Sequence, residues 1–439
     1  MRKYLCLALI LCLFLTGCAA GGDLTALPRT EAGRQLLSKH MFSLLTGRAA
    51  YIIPDAGDMT CPVLDIDLDG DGADETVACL LRRSGGREYP CVEIYTYPEG
   101  HPELAGAIRG EGDCIPALRF PVLDDAGTIG VAAVWGLGGA SLHGLTVCRL
   151  AEDEVDILYS GPCLAMDTAD LDRDGADEIV LAEVSDEPGG IRAIMLDYGA
   201  AGLRVSGAVP LSRGLDLQHV LTANIGFDRT AVLCEGYVEH LGFVTDVIVW
   251  AGRNTLRNLY CSDLTGVSDS TVREIPLWST DANGDGTVEL PLLRPVSNSE
   301  TEAGSPLRLV DWCRCEENAP PEPLYTSCYH SVYGWNVRLP EAQDGSILPV
   351  QSVDTDSVYS VLFYLISGEG EELPLWELYT LSGETAEATE ELCALRRLTV
   401  ANGRIYAFAI YHTPSGSPYT DSSVPACFSL LPPAADPRS

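Results

Sequence analysis

A mainly β fold, a propeller-like run of about five recognisable repeated sheet units followed by a smaller α+β domain, is what the chain predicts. Three observations carry this. From Ala50 onward the apolar residues recur with period two, the spacing of half-buried strands. A nine-residue acidic loop recurs as Asp67 to Glu75 (DLDGDGADE), Asp170 to Glu178 (DLDRDGADE) and Asp281 to Glu289 (DANGDGTVE), each followed by an apolar run. After about Ser297 the character changes at a polar stretch (SNSETEAGS) and again at Ala319-Pro320-Pro321-Glu322-Pro323.

At the start of the chain, Arg2 and Lys3 precede an apolar run from Tyr4 to Leu15, which leads into Leu15-Thr16-Gly17-Cys18. The arrangement resembles the signal peptide and lipobox of bacterial lipoproteins. The resemblance implies removal of residues 1–17, a lipid on Cys18, a tether over 18–30 and a mature protein on the extracytoplasmic face of the cell membrane. The run is short for a membrane span, and its alternative is an uncleaved anchor. Over 31–49, Leu36, Leu37, Met41, Leu44 and Leu45 recur at helical spacing and predict one amphipathic helix.

The sheet units occupy 50–297. The first acidic loop runs into Thr76 to Leu81, a turn at Gly85-Gly86 and a returning strand from Cys91 to Tyr97; the second repeats that order with Ile179 to Val184, Pro188-Gly189-Gly190 and Ile191 to Tyr198. The distance from Asp67 to Asp170 is too long for one four-stranded unit, and a worn copy lies between them. Asp124 to Gly130 leads into Val131 to Trp135, Gly138-Gly139 and Leu145 to Leu150, and likewise Asn224 to Asp228 leads into Thr230 to Tyr237 and Val244 to Trp250. Units then begin at 67, 124, 170, 224 and 281, at intervals of 57, 46, 54 and 57 residues, which suits propeller blades. Over 305–435, Ser331 to Leu339, Ser357 to Ile366, Leu375 to Leu381 and Ile405 to Tyr411 read as strands and Glu384 to Leu395 as a helix. These form the expected α+β domain, unless some of the strands complete the propeller.

Each acidic loop places side-chain oxygens at positions one, three, five and nine around a glycine at position six. That is how a short loop folds its carboxylates around one hard cation such as calcium. An EF-hand would need a bidentate glutamate at position twelve, where Ala78, Leu181 and Leu292 stand. Three or four carboxylates within nine residues repel one another unless a cation offsets them, whereas the alternative, a solvated acidic turn, needs only one or two. Gly72, Gly175 and Gly286 are expected at positive φ. The loops resemble the FG-GAP or VCBS repeats of integrin-alpha-like propellers over roughly Asp55 to Val296. The resemblance implies a calcium set of Asp67, Asp69, Asp71, Glu75 and the Ala73 carbonyl in loop 1. In loop 2 it implies Asp170, Asp172, Asp174, Glu178 and the Ala176 carbonyl, and in loop 3 Asp281, Asn283, Asp285, Glu289 and the Thr287 carbonyl. With Asn283 in place of an aspartate, loop 3 is expected to bind more weakly. The ion is expected to be structural, since the loops wrap it with their own backbone.

A formal charge of -35 with 28 Lys and Arg repels nucleic acid and anionic lipid, both of which require a basic surface. Sixteen cysteines are present; Cys79, Cys148 and Cys234 lie in apolar runs and read as buried thiols. Cys313, Cys315 and Cys328 lack the partners of a zinc site, and a disulfide involving Cys328 is the better minor possibility. No HExxH or GxSxG occurs, and Ser141 with His143 reads as a hairpin tip. Trp312, Tyr329, His330, Tyr333 and Trp335 form an aromatic-rich stretch, either core or the first place to seek a ligand. The expected role is binding, scaffolding or adhesion toward a protein or glycan. The alternatives are an exported hydrolase of polysaccharide or peptide with structural calcium, and an envelope sensor subunit.

Overall fold

The computed structural model describes residues 32–45, 49–136, 142–200, 202–253, 255–294, 306–340, 345–367, 370–411 and 419–431. The expected signal peptide, Cys18, the expected tether, Gly138-Gly139, Ser141 and the SNSETEAGS stretch lie outside the described residues.

The fold is mainly β, and its strands form six antiparallel sheets of four or five strands among the described residues. In chain order, sheet 1 lies within 49–109, sheet 2 within 114–163, sheet 3 within 165–210 and sheet 4 within 215–258. Sheet 5 lies within 290–338 and is completed by Phe428–Leu430, and sheet 6 lies within 345–410. Sheets 2, 3 and 4 are simple four-stranded meanders. Sheet 1 adds Ala49–Tyr51, which pairs with the far half of the strand Glu75–Ser84 while Val63–Ile66 pairs with its near half.

The sheets stack face to face in sequence order, and the period-two pattern shows why. In sheet 1, Val77, Cys79, Val92 and Ile94 share a core with Ile115, Leu118, Val131, Ala133 and Trp135 of sheet 2. The alternate residues of sheet 2, Ala132 and Val134, face Ile179 and Leu181 of sheet 3 instead. A strand buried on both faces reads as a continuous apolar run, as Gly130–Gly136 does with every residue buried. Further cores join sheets 3 and 4, 4 and 5, and 5 and 6.

The two outer faces of the stack are covered by helices. Helix α1 (Ala32–Leu45) lays Leu37 and Met41 on Ala78, Leu80, Cys91 and Tyr95 of sheet 1. Helix α2 (Ala386–Leu392) places Ala386 against Leu381, Ile405 and Ala407 of sheet 6. A third, short helix, α3 (Ser423–Cys427), precedes the last strand. Among the described residues no helix is long and apolar enough to cross a membrane.

The expected boundary between 297 and 305 falls inside one sheet. Leu290–Arg294 pairs with Leu307–Arg314 in sheet 5, with Leu290 opposite Cys313. Polar composition marks an exposed connection, and it does so equally between domains and between two strands of a sheet. Beyond it, sheet 6 departs from the meander: its last two strands swap order, since α2 carries the chain past the edge before Arg404–Ile410 returns to pair with Glu372–Ser382. The strand expected from Ser331 begins only at Trp335, because a turn brings Gly334 N–H to the His330 carbonyl.

Candidate metal centres

The five repeated loops occupy one position in the architecture. Each leads into an inner or leading strand of its sheet: 67–75 lies between Val63–Ile66 and Glu75–Ser84, 170–178 between Ala165–Ala169 and Glu178–Val184, and 281–289 directly before Leu290–Arg294, the first strand of sheet 5. Loop 3 lies inside the antiparallel bridge between Thr280 and Glu289.

The three acidic loops share one hydrogen-bond plan. The first aspartate accepts backbone N–H groups on both carboxylate oxygens: Asp67 from Gly70 at 2.8 Å and Gly72 at 2.9 Å, Asp170 from Arg173 at 2.6 Å and Gly175 at 3.2 Å, and Asp281 from Gly284 at 2.7 Å and Gly286 at 2.8 Å. Asp71, Asp174 and Asp285 accept from Ala73, Ala176 and Thr287 at 2.7, 2.9 and 2.8 Å. The ninth-position glutamates reach back to Leu68, Leu171 and Ala282 N–H at 2.8, 2.8 and 2.9 Å. Gly72, Gly175 and Gly286 take φ of 90°, 94° and 85° as their position requires. A second left-handed position precedes them, filled by Gly70, Gly284 and, in loop 2, Arg173 at φ 67°.

Convergence of the acids differs between loops. Carboxylate oxygens of Asp67, Asp69 and Asp71 lie within 4.8 Å of one another, as do those of Asp170, Asp172 and Glu178, and of Asp281, Asp285 and Glu289. Oxygens at that separation can all touch one calcium at ordinary bond lengths of about 2.3–2.6 Å. Glu75 and Asp174 are not members of these trios. The donor set, hard carboxylate oxygens with no sulfur or nitrogen, fits calcium rather than a softer metal.

The glutamates are the electrostatic centre of each loop. Glu75, Glu178 and Glu289 are 5%, 2% and 0% exposed. Burial, reinforced by the neighbouring aspartates, pushes each carboxyl up to about 7. Asp172 is also held up, by burial and then by Asp174. In loop 3 the Asn283 amide nitrogen donates to Asp285 at 3.0 Å and to Glu289 at 2.6 Å. That amide does part of the work a cation would do, and turning its oxygen inward would break these bonds.

The loops also join neighbouring sheets. Leu68 C=O accepts Ile129 N–H of the worn loop in sheet 2 at 2.8 Å, and Asn224 C=O accepts Val288 N–H of loop 3 at 2.8 Å. Asp177, to which the sequence assigns no role, accepts Val122 N–H at 2.8 Å and so ties loop 2 to sheet 2. The worn loops keep the turn and lose the acids: Asp124 accepts Ala126 and Thr128 N–H, and Asn224 accepts Gly226 N–H.

A second cluster, not read from the sequence, lies against sheet 4. Glu235 is fully buried and accepts His219 Nδ1 at 2.9 Å, Thr245 Oγ1 at 2.7 Å, Arg273 Nη2 at 2.9 Å and Ser279 Oγ at 2.8 Å. Burial pushes its carboxyl up, but the His219 bond and the Arg273 charge prevail and hold it below the ordinary value. His219 stacks on Trp278 with centroids 5.4 Å apart, and Arg273 lies 5.8 Å over the same indole. A glutamate inside the apolar run AVLCEGY was the available signal, since a charge there needs partners.

The aromatic stretch is core. Trp312, Tyr329 and Trp335 are fully buried, and His330 is sealed against Tyr333 and Tyr359, with burial lowering its imidazole to about 3. The thirteen described cysteines are free thiols, Cys328 among them.

No family model matches the chain. No curated protein matches it. Among solved structures, the β-propeller domain of the Trilobed protease from Pyrococcus furiosus is similar at 8% identity and a TM-score of 0.28, over 74% of this chain and 90% of that one. The periplasmic gluconolactonase of Pseudomonas aeruginosa is similar at 13% identity and a TM-score of 0.27, over 66% and 88%. The exotype rhamnogalacturonan lyase YesX is similar at 13% identity and a TM-score of 0.26, over 71% of this chain and 60% of that one. Likenesses of this size say nothing about activity.

Proposed function

We propose that the protein is a lipid-anchored, extracytoplasmic binding or scaffold module of FG-GAP/VCBS type whose sheets are fastened by calcium in loops 1, 2 and 3. One observation carries the reading. In every acidic loop a nearly fully buried glutamate reaches back to a backbone N–H at the loop's start and three carboxylates converge, the glutamate among them in loops 2 and 3, while the loop's aspartates are tied to its own N–H groups. An ion held that way is wrapped by its loop, which suits a fastener more than a Lewis acid with open positions. The proposed ligands are the sets named for the three loops, with Asp67, Asp69 and Asp71, then Asp170, Asp172 and Glu178, then Asp281, Asp285 and Glu289 as the convergent oxygens. Protein or glycan is the proposed ligand class. The test is capture from envelope fractions, with peptide and glycan arrays, in calcium and in chelator; capture of the same ligand equally in both would rule out a role for calcium in binding.

A second reading, an exported hydrolase of polysaccharide or peptide, is favoured by the His219–Glu235 pair. A buried carboxylate that fixes an imidazole is how proton transfer is commonly arranged. Cleavage of a glycan or peptide library that disappears in His219→Ala would select it over the binding module.

A further inference from the structure

Helix α1 presents two faces of different use. Leu37 and Met41 are buried on sheet 1, while Leu36 is 39% and Phe42 70% exposed. Lys39 is exposed as well, and at three-residue spacing Leu36, Lys39 and Phe42 run along one outward side of the helix. Lys39 and Lys3 are the only lysines of the chain, and the stretch 29–48 holds Arg29, Arg34, Lys39 and Arg48 against Glu31 alone. Residues 1–48 hold six basic and two acidic side chains, so the sheets and connections beyond Arg48 carry a formal charge of -39 against the chain's net -35. An apolar, basic stripe on an otherwise acidic protein has the chemistry of an interfacial helix.

We propose that the Leu36, Lys39 and Phe42 stripe of α1 rests on the anionic headgroup layer of the bilayer that holds the lipid of Cys18. The sheet stack then stands on its first sheet. The proposal rests on the lipoprotein reading of the N-terminus. Roughly fourteen residues separate Cys18 from α1, so the helix lies within about 50 Å of the lipid even along a fully extended chain. A tether of that length raises the local concentration of bilayer surface to the millimolar range, where a weak contact is populated. Repulsion between the acidic sheets and anionic headgroups acts in the same direction, turning the rest of the protein outward.

The experiment uses the full-length, lipidated protein in vesicles of phosphatidylethanolamine with roughly one quarter phosphatidylglycerol. A photoreactive benzoyl-phenylalanine replaces Phe42, or for comparison Phe227, which is 74% exposed on the worn loop of sheet 4. The expected result is a lipid adduct at position 42 at least about fivefold above position 227, reduced by Lys39→Glu and by high salt. A crosslinked dimer through position 42 would make a second copy the occupant and overturn the proposal. Equal adducts at both positions, or none at 42 in protein with an unchanged melt, would overturn it as well. Mass analysis of the N-terminal peptide separates the two levels: an unmodified Cys18 defeats the anchor and the docking together, whereas a lipidated Cys18 without an adduct at 42 defeats the docking alone.

Discussion

Without calcium, raising the pH should weaken this protein. Glu75, Glu178 and Glu289 are each held at about 7 against an ordinary 4.5, chiefly by burial. A carboxyl raised in the folded state keeps its proton there longer than in the unfolded chain. Its contribution is fully present below pH 4.5 and is lost as the pH climbs through 7. At about 1.4 kcal/mol per unit the shift bounds the effect near 3 kcal/mol per loop, and relaxation and water access reduce it to about 1–2 kcal/mol. Over three loops that is about 3–6 kcal/mol, or a fall of roughly 5 °C in melting temperature for a chain of this size. Calcium supplies the missing positive charge and should abolish the slope. The assay is a series of melts from pH 5 to pH 8, in chelator and in millimolar calcium. Glu178→Gln, uncharged at every pH, should melt higher than the parent in chelator at pH 8 and gain less from calcium. A chelated melting temperature that is flat or rises between pH 5 and 8 would show that the buried glutamates do not govern the loops.

Three further outcomes are expected. Arg173 holds φ 67° where loops 1 and 3 use glycine, so Arg173→Gly should leave stability unchanged or raise it by up to about 1 kcal/mol in urea denaturation, against the usual cost of adding a glycine. Arg273→Met leaves the Glu235 carboxylate buried without its guanidinium and should cost about 3–5 kcal/mol, while the double variant with Glu235→Gln should recover much of that loss. Ellman's reagent should modify exposed Cys61 and Cys393 first. Cys79, Cys148, Cys163, Cys313 and Cys315, each pushed up to about 12 by burial, should react only on unfolding.

What was legible in the chain was what is local. The acidic loops fix their own backbone through Asx-type bonds within nine residues, so their glycines, turns and following strands could be read in place. The worn loops at 124 and 224 were legible because the turn outlived the acids. The outer strands of sheet 2 were not: Glu154–Cys163 is half exposed and loses clean alternation, and Cys114–Arg119 is interrupted by Pro116 and a register shift. The aromatic stretch could be taken for a binding surface because composition does not say which face is covered; sheet 6 covers Tyr333 and Trp335, and Leu277 with its neighbours packs on Trp312 and Tyr329. The Glu235 cluster draws on His219, Thr245, Arg273 and Ser279, which strand register and the Phe243–Arg273 bridge bring together, and no short window contains them.

Whether the acidic loops hold calcium is decided by calorimetric titration of the ion into chelator-stripped protein at pH 8. Saturable binding should approach three ions per chain, with the loop 3 site weakest and one site lost in each of Glu75→Gln, Glu178→Gln and Glu289→Gln. Titration to millimolar calcium with no binding heat and no rise in melting temperature would contradict calcium fastening of the sheets.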